Sequence, residues 1–161
     1  MLFCVPRITA ILHTANDARR LGRALESLRS CDELLVVDHG SSDETRRIAR
    51  DYGARVEPAS SQQNSGAGQA AHDWVLCLLP GEALSEALEA SLLEWKQEDP
   101  GDAVAYALAL RTETVNGWQH NPPEVRLVHR GRLHWTGALP PSTGDALPLC
   151  GDLLRFRDPG E

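Results

Sequence analysis

Apolar residues follow two alternating spacings along the first hundred positions. Ile8 to His13 is a nearly continuous apolar run, which predicts a strand buried on both faces. From Asn16 to Ser30, Ala18, Leu21, Leu25 and Leu28 fall on one helical face. Glu33 to Asp38 predicts a second strand, built on Leu34, Leu35, Val36 and Val37. Asp43 to Tyr52 predicts a second helix. Ser41 and Glu44 stand at capping-box spacing before it, and Gly53 lies just past its end. Arg55 to Glu57 is a short third strand. Trp74 to Leu79 is apolar throughout and stops at Pro80-Gly81. Leu84, Leu88, Leu92 and Trp95 then predict a third helix.

The last sixty residues change character. Ala103 to Leu110 alternates strictly, with Val104, Tyr106, Leu108 and Leu110 on one face and alanines on the other. Both faces are apolar, so this strand belongs inside a sheet, with something packed close on the alanine side. "EVRLVHRGRLHW" predicts a hairpin turning near Arg130-Gly131, and Leu149 to Phe156 is a further short apolar piece. The pattern predicts one α/β domain over residues 1–161. Its central sheet is mostly parallel with helices on both faces, a three-layer arrangement with a strand-rich C-terminal part.

Charge narrows the function. The net charge of −7 argues against nucleic acid and against an anionic membrane surface, since both reward a basic face. Lys96 is the only lysine among sixteen Lys and Arg residues, so arginine serves throughout. Cys4, Cys31, Cys77 and Cys150 show no CxxC spacing, which argues against zinc and for free thiols in a reducing cytoplasm. The N-terminus does not read as a signal peptide, and no run reaches the ~20 apolar residues of a membrane span.

In open α/β sheets, ligands bind beyond the carboxyl ends of the strands. "VVDHGSSDET" delivers Asp38 to such an end, followed by a small polar turn with Ser41 and Asp43 at a helix start. "LHTAND" does the same for Thr14, Asn16 and Asp17. An ordinary capped turn would look alike at either place. Two polar strand ends side by side favour a nucleotide crevice. "GAGQAA" at Gly66–Ala71 matches a dinucleotide fingerprint by letter, but it lies far downstream of the first strand and no acid ends the next one. The six histidines form no metal-binding pair and are expected on the surface. Arg126, Arg130 and Arg132 offer either an anion grip or a solvated hairpin face.

The segment Ile8 to Val56 closely resembles the N-terminal half of family 2 glycosyltransferases, nearest the bacterial subgroup that includes lipopolysaccharide-core enzymes. The residues that carry it are "HTAND", "ESLRSCDELLVVDHGSSDET", "IA" and "YGARV". Weaker matches follow at "QQN", at Asp73-Trp74 and at "PEVRLVHRGRLHWTG". The resemblance implies a GT-A fold. Residues 1–100 would form the nucleotide-binding half and 101–161 the acceptor-side half. It implies nucleotide contacts at Thr14, Asn16, Asp17, Asp38, Ser41, Asp43 and Gln63, and acceptor-side roles for Arg126 and Trp135. The nucleotide would be UDP-linked, and the parent reaction an inverting sugar transfer.

Three departures fall on the chemistry. Leu79 and Gly81 occupy the positions of the two aspartates that hold the family's divalent metal, with only Glu82 left as a candidate ligand. Leu139-Pro140-Pro141 replaces the segment that carries the general base, and Arg155 stands at a position where histidine is common. The leading expectation is a degenerate member, a pseudoenzyme that binds a nucleotide or nucleotide sugar, or a protein partner, and requires no cofactor. The alternative is an active transferase acting on a cell-envelope acceptor. It would use magnesium or manganese at a displaced site, with Glu82 and either Asp73 or a base from a partner chain.

Overall fold

The computed structural model describes residues 5–60 and 65–158. Strand β1 (Ile8–Thr14) has a parallel neighbour on each side, which explains its unbroken apolar run. Ile8, Ala10 and Leu12 enter one core and Ile11 enters a second on the opposite face. Helix α1 (Ala18–Glu26), strand β2 (Glu33–Asp38), helix α2 (Thr45–Asp51) and strand β3 (Arg55–Pro58) follow. Each crossover steps the same way along the sheet, so right-handedness puts both helices on one face. Leu21, Ala24 and Leu25 of α1 and Ala49 of α2 pack there against Ala10, Leu12 and Val36. Gly53 ends α2 with φ +83°, as its position predicts. The predicted capping box does not form: Glu44 precedes the helix without a side-chain cap, and Ser41 bonds Asp38 instead.

Strand β4 (Trp74–Leu78) pairs parallel on the other side of β1. A right-handed crossover in this opposite direction must use the opposite face. The connection from β3 does so, with Ala59 and Ala70 packed on the cluster of Ile11, Leu35, Val37, Val75 and Cys77. Among its described residues it contains only a 3-10 turn at Ala67–Gln69, so "GAGQAA" opens no α-helix and is not a dinucleotide site. Gly66 has φ +78°, and a Cβ there would stand 2.9 Å from Val37 Cγ2. The glycine lets this loop lie directly on the sheet.

Strand β5 (Glu82–Leu84), helix α3 (Glu86–Trp95) and strands β6 (Ala105–Thr114), β7 (Gly117–His129) and β8 (Leu147–Arg155) complete an eight-stranded sheet. The order is β3-β2-β1-β4-β7-β6-β8-β5. It is parallel from β3 to β4 and mixed beyond, because β7 runs antiparallel to both β4 and β6, and β5 antiparallel to β8. The mostly parallel expectation is borne out in part: β1 to β4 pair in parallel and so do β6 and β8, within a mixed sheet. All three helices pack into one core cluster, so the expected two helical layers become one helical layer and one layer of coil. The crossover to β4 is too rich in glycine and small polar residues to build an amphipathic helix.

Two boundaries also move. Helix α3 starts after Ser85, whose Oγ accepts the Leu88 N–H at 3.2 Å, so Leu84 belongs to β5. Glu124 to Trp135 is not a hairpin: the chain turns at Arg130-Gly131, but the residues after it leave the sheet. The hairpin joins β6 to β7 instead, at Val115-Asn116. The alanine side of β6 is covered by Leu133 and Trp135, packed near Ala105 and Ala107.

The sheet must curl. Leu78 and Glu82 are four residues apart, a reach of about 14 Å at most. In a flat sheet β4 and β5 would lie four strand spacings apart, about 19 Å. Curling brings β5 back beside the carboxyl end of β4 and sets Glu82 against Arg126 of β7. On the helical side Trp74 anchors the curl, with ring centroids 5.0 Å from Trp95 and 5.7 Å from Tyr106. Such ring pairs contribute about 0.5–1.5 kcal/mol each beyond their buried area.

Candidate functional site

The crossovers leave β1 on opposite faces toward β2 and β4, so the crevice opens beyond the carboxyl ends of these strands. Two loops meet there. Asp38 Oδ1 accepts the hydroxyls of Thr14 at 2.9 Å and Ser41 at 2.5 Å, and Oδ2 accepts the Ser41 N–H at 2.9 Å. Asn16 sits at φ +56°; its N–H donates to Ser41 Oγ at 2.9 Å and its Oδ1 accepts the Ser42 N–H at 2.8 Å. The Asp17 N–H donates to Thr45 Oγ1 at 2.9 Å, and Asp43 Oδ1 accepts both the N–H and the hydroxyl of Thr45. Thr14, Asn16, Asp17, Asp38, Ser41 and Asp43 are thus brought together, while Gln63 lies outside the described residues. Much of their bonding capacity stitches one loop to the other. Asn16, Ser42 and Asp43 are exposed at the crevice, whereas Asp38 is buried.

Burial works to raise the Asp38 pKa, but the Ser41 and Thr14 hydrogen bonds and the nearby Arg46 outweigh it, holding the carboxyl below its ordinary range. The folded state therefore binds this proton less readily than the unfolded state. Stability from Asp38 is present above the ordinary carboxylate pKa and is lost as pH falls through the lower folded value. Urea denaturation at pH 7 and pH 3 should show a drop that is smaller in Asp38→Asn. An equal drop in both proteins would remove Asp38 from the acid response.

A histidine pair, unforeseen in the sequence, closes the other side of these loops. His13 Nδ1 lies 2.9 Å from His39 Nε2, and His13 Nε2 lies 3.1 Å from the Ser65 carbonyl. A carbonyl only accepts, so His13 Nε2 carries a proton and, in the neutral ring, Nδ1 accepts from His39. Burial lowers the His13 pKa, which keeps the ring neutral. Alternation places His13 on the Ile11 face of β1, but no local signal points to His39 as its partner.

The end of β4 is built from apolar side chains and arginines. Leu79 and Gly81 sit in the turn, and the Glu82 N–H donates to the Leu79 carbonyl at 3.0 Å. Glu82 and Arg126 are both fully buried and form a two-pronged ion pair at 2.6 and 2.9 Å. Glu82 Oε2 also accepts Nε and Nη2 of Arg155 at 3.1 and 2.9 Å. Burial pushes the Glu82 pKa up, and its arginine partners more than reverse that. This carboxylate is committed to the fold and is not presented as a cation ligand. Arg126 is likewise not an acceptor-side surface residue, because all its donors face Glu82, Glu124 and the Cys77 carbonyl.

The other candidates lie apart from this turn. Asp73 pairs with Arg130 at the amino end of β4, away from the crevice. Arg132 donates to the Ala103 carbonyl. Trp135 is partly buried on the coil-covered face and lines a cavity of about 720 Å³ with Ser65, Arg130 and His134. Leu139 packs on the same face.

The strand order and the paired polar loops define a GT-A-type α/β domain. Residues 9–77 match the family model for glycosyl transferase family 2. It is 34% identical over 89 residues to an uncharacterized glycosyltransferase of Rickettsia felis, covering 52% of this chain and 31% of that protein. It is 26% identical over 174 residues to the lipopolysaccharide core biosynthesis glycosyltransferase LpsC of Rhizobium meliloti, covering 93% of this chain and 63% of LpsC. The crystal structure of S. aureus TarS 1–349 shares the fold at TM-score 0.50 and 22% identity, covering 72% of this chain and 38% of that one. The chain spans about a third of the length of the Rickettsia relative. Among the described residues, no helix is long and apolar enough to cross a membrane.

Proposed function

We propose that this chain binds a UDP-type nucleotide sugar at the carboxyl ends of β1, β2 and β4, without the metal-assisted transfer of its family. The observation that carries this reading is the state of the β4 turn. Leu79 and Gly81 offer no oxygen ligand from a side chain, and Glu82 is enclosed by Arg126 and Arg155. Among the described residues no three His, Cys, Asp or Glu side chains stand close enough to hold a metal ion. Hard divalent cations need several oxygen ligands, so this donor set does not fit them. The nucleotide half of the reading is supported by Asp38, an ionised acceptor held in place by three hydrogen bonds. A pyrimidine ring N–H is a suitable donor to its Oδ2. The exposed N–H and amide groups around Asn16 and Ser42 suit ribose hydroxyls.

Calorimetry with UDP and UDP-sugars tests the reading. Binding is expected to be equal with manganese and with EDTA, to release no sugar, and to weaken at least tenfold in Asp38→Asn, about 1.4 kcal/mol. Manganese-dependent binding with sugar release would overturn it in favour of an active inverting transferase. Binding unchanged in Asp38→Asn would overturn the assignment of Asp38.

A further inference from the structure

We infer that guanidinium groups, Arg20 foremost, take the place of the divalent cation, so that the β4 turn carries a metal-free diphosphate site. The inference rests on the nucleotide-binding reading for its biological ligand and on independent geometry for the site. A cavity of about 490 Å³ opens at this turn, lined by Arg20, Leu79, Gly81, Glu82, Arg155 and Arg157. Arg20 comes from the first turn of α1 and reaches over Gly81. A Cβ on residue 81 would stand 3.0 Å from Arg20 Nη1, tighter than an ordinary contact. The guanidinium therefore lies directly against the Cα of residue 81, where the glycine leaves it room.

The arginine is held as a ligand-binding group would be. Asp17 Oδ1 takes Arg20 Nε at 2.9 Å and Nη2 at 2.8 Å, while Asp17 Oδ2 is fixed by the Ala15 N–H at 2.8 Å. Arg155 repeats the arrangement, with Nε and Nη2 both on Glu82 Oε2. In each case one edge of the fork is anchored on a buried carboxylate, and Nη1 has no hydrogen-bond partner among the described residues. A pre-oriented guanidinium suits phosphate oxygens, which accept its N–H groups in a planar, charge-assisted array. Asp17, which anchors Arg20, and Thr14, which bonds Asp38, flank the same short turn between β1 and α1, so one segment spans the base and diphosphate positions. Glu113 and Asp158 share the cavity wall and moderate the field, which sets this site apart from a broad basic surface.

Guanidinium stays protonated across the accessible pH range, so the site needs neither metal nor a titrating group. The experiment is calorimetry in EDTA with uridine, UMP, UDP and inorganic pyrophosphate. UDP is expected to bind at least tenfold tighter than uridine. Arg20→Ala is expected to erase that increment and to leave uridine affinity unchanged. Gly81→Asp sets a carboxylate against Nη1 and is expected to erase it as well, with the fold of each variant checked by its thermal melt. If uridine binds but UDP binds no tighter, or Arg20→Ala keeps the increment, the arginine site is overturned and the nucleotide reading stands. If uridine fails to bind while pyrophosphate binds and is lost in Arg20→Ala, the arginine site stands and the nucleotide reading falls. If neither uridine nor pyrophosphate binds, both fall.

Discussion

Arg126→Met is expected to destabilise the domain by about 3–5 kcal/mol, the range for removing one partner of a buried ion pair. Arg126 is the largest fully buried side chain, and its N–H donors make five hydrogen bonds to Glu82, Glu124 and the Cys77 carbonyl. Methionine fills much of the volume but leaves Glu82 buried, with Arg155 and the Leu79 N–H as its remaining partners. A domain of this size has about 5–15 kcal/mol in total, so the loss is a large share of it. Adding Glu82→Leu removes the stranded charge, and the double variant is expected to recover at least half of the deficit. Urea midpoints of the wild type, both single variants and the double variant measure this directly. A deficit no larger than that of a surface change, about 0.5 kcal/mol, would show that water reaches Glu82 and that the pair does not hold the curl.

The same network shows where sequence reasoning stops. Strand β1 and the units through β3 are legible because their signals are local: unbroken apolar runs, three-and-four spacing in α1, and Gly53 after α2. Asp38 and Thr14 are legible for the same reason, as polar residues at the ends of apolar strands. Their mutual hydrogen bond spans 24 residues and has no local trace. Arg126 looks like one more charged residue on an exposed hairpin until the curl of the sheet places Glu82, 44 residues away, against it. Strand β5 is three residues long, follows Pro80-Gly81 and leads straight into α3, so its apolar residues read as the start of that helix. Strand β7 contains Pro122-Pro123, which argue against a strand interior, and the register shifts between β6 and β7 let the strand run past them. What the letters do show at the β4 turn is an absence of acids. Only the packing shows that Arg20 lies over Gly81.

Gly151→Ala is the second large effect, and it tests how the arginine network is held in place. Residues 150 and 151 form a bulge in β8: Leu108 pairs with Leu149, yet the next residue, Ala109, pairs with Asp152. Gly151 has φ +98°, and a Cβ there would lie 2.4 Å from Leu88 N and 2.5 Å from Leu88 Cα. These are backbone atoms of the first turn of α3, which Ser85 ties to the same strand by accepting the Asp152 N–H at 3.1 Å. Neither neighbour can yield by changing a rotamer. Overpacking costs about 1–3 kcal/mol and a strained backbone about 1–3 kcal/mol more. The melting temperature should therefore fall by roughly 4–24 °C, at about 2–4 °C per kcal/mol for a domain of this length. The strain should also reach the crevice, because Arg155 lies four residues downstream and its register on β5 sets its contact with Glu82. Diphosphate affinity is expected to fall in Gly151→Ala even where the protein is fully folded. A melting temperature within 2 °C of wild type would mean that α3 and β8 separate freely at the bulge. Arg155 would then owe its position to Glu82 alone, and Glu82→Gln, rather than Gly151→Ala, would be the change that releases it.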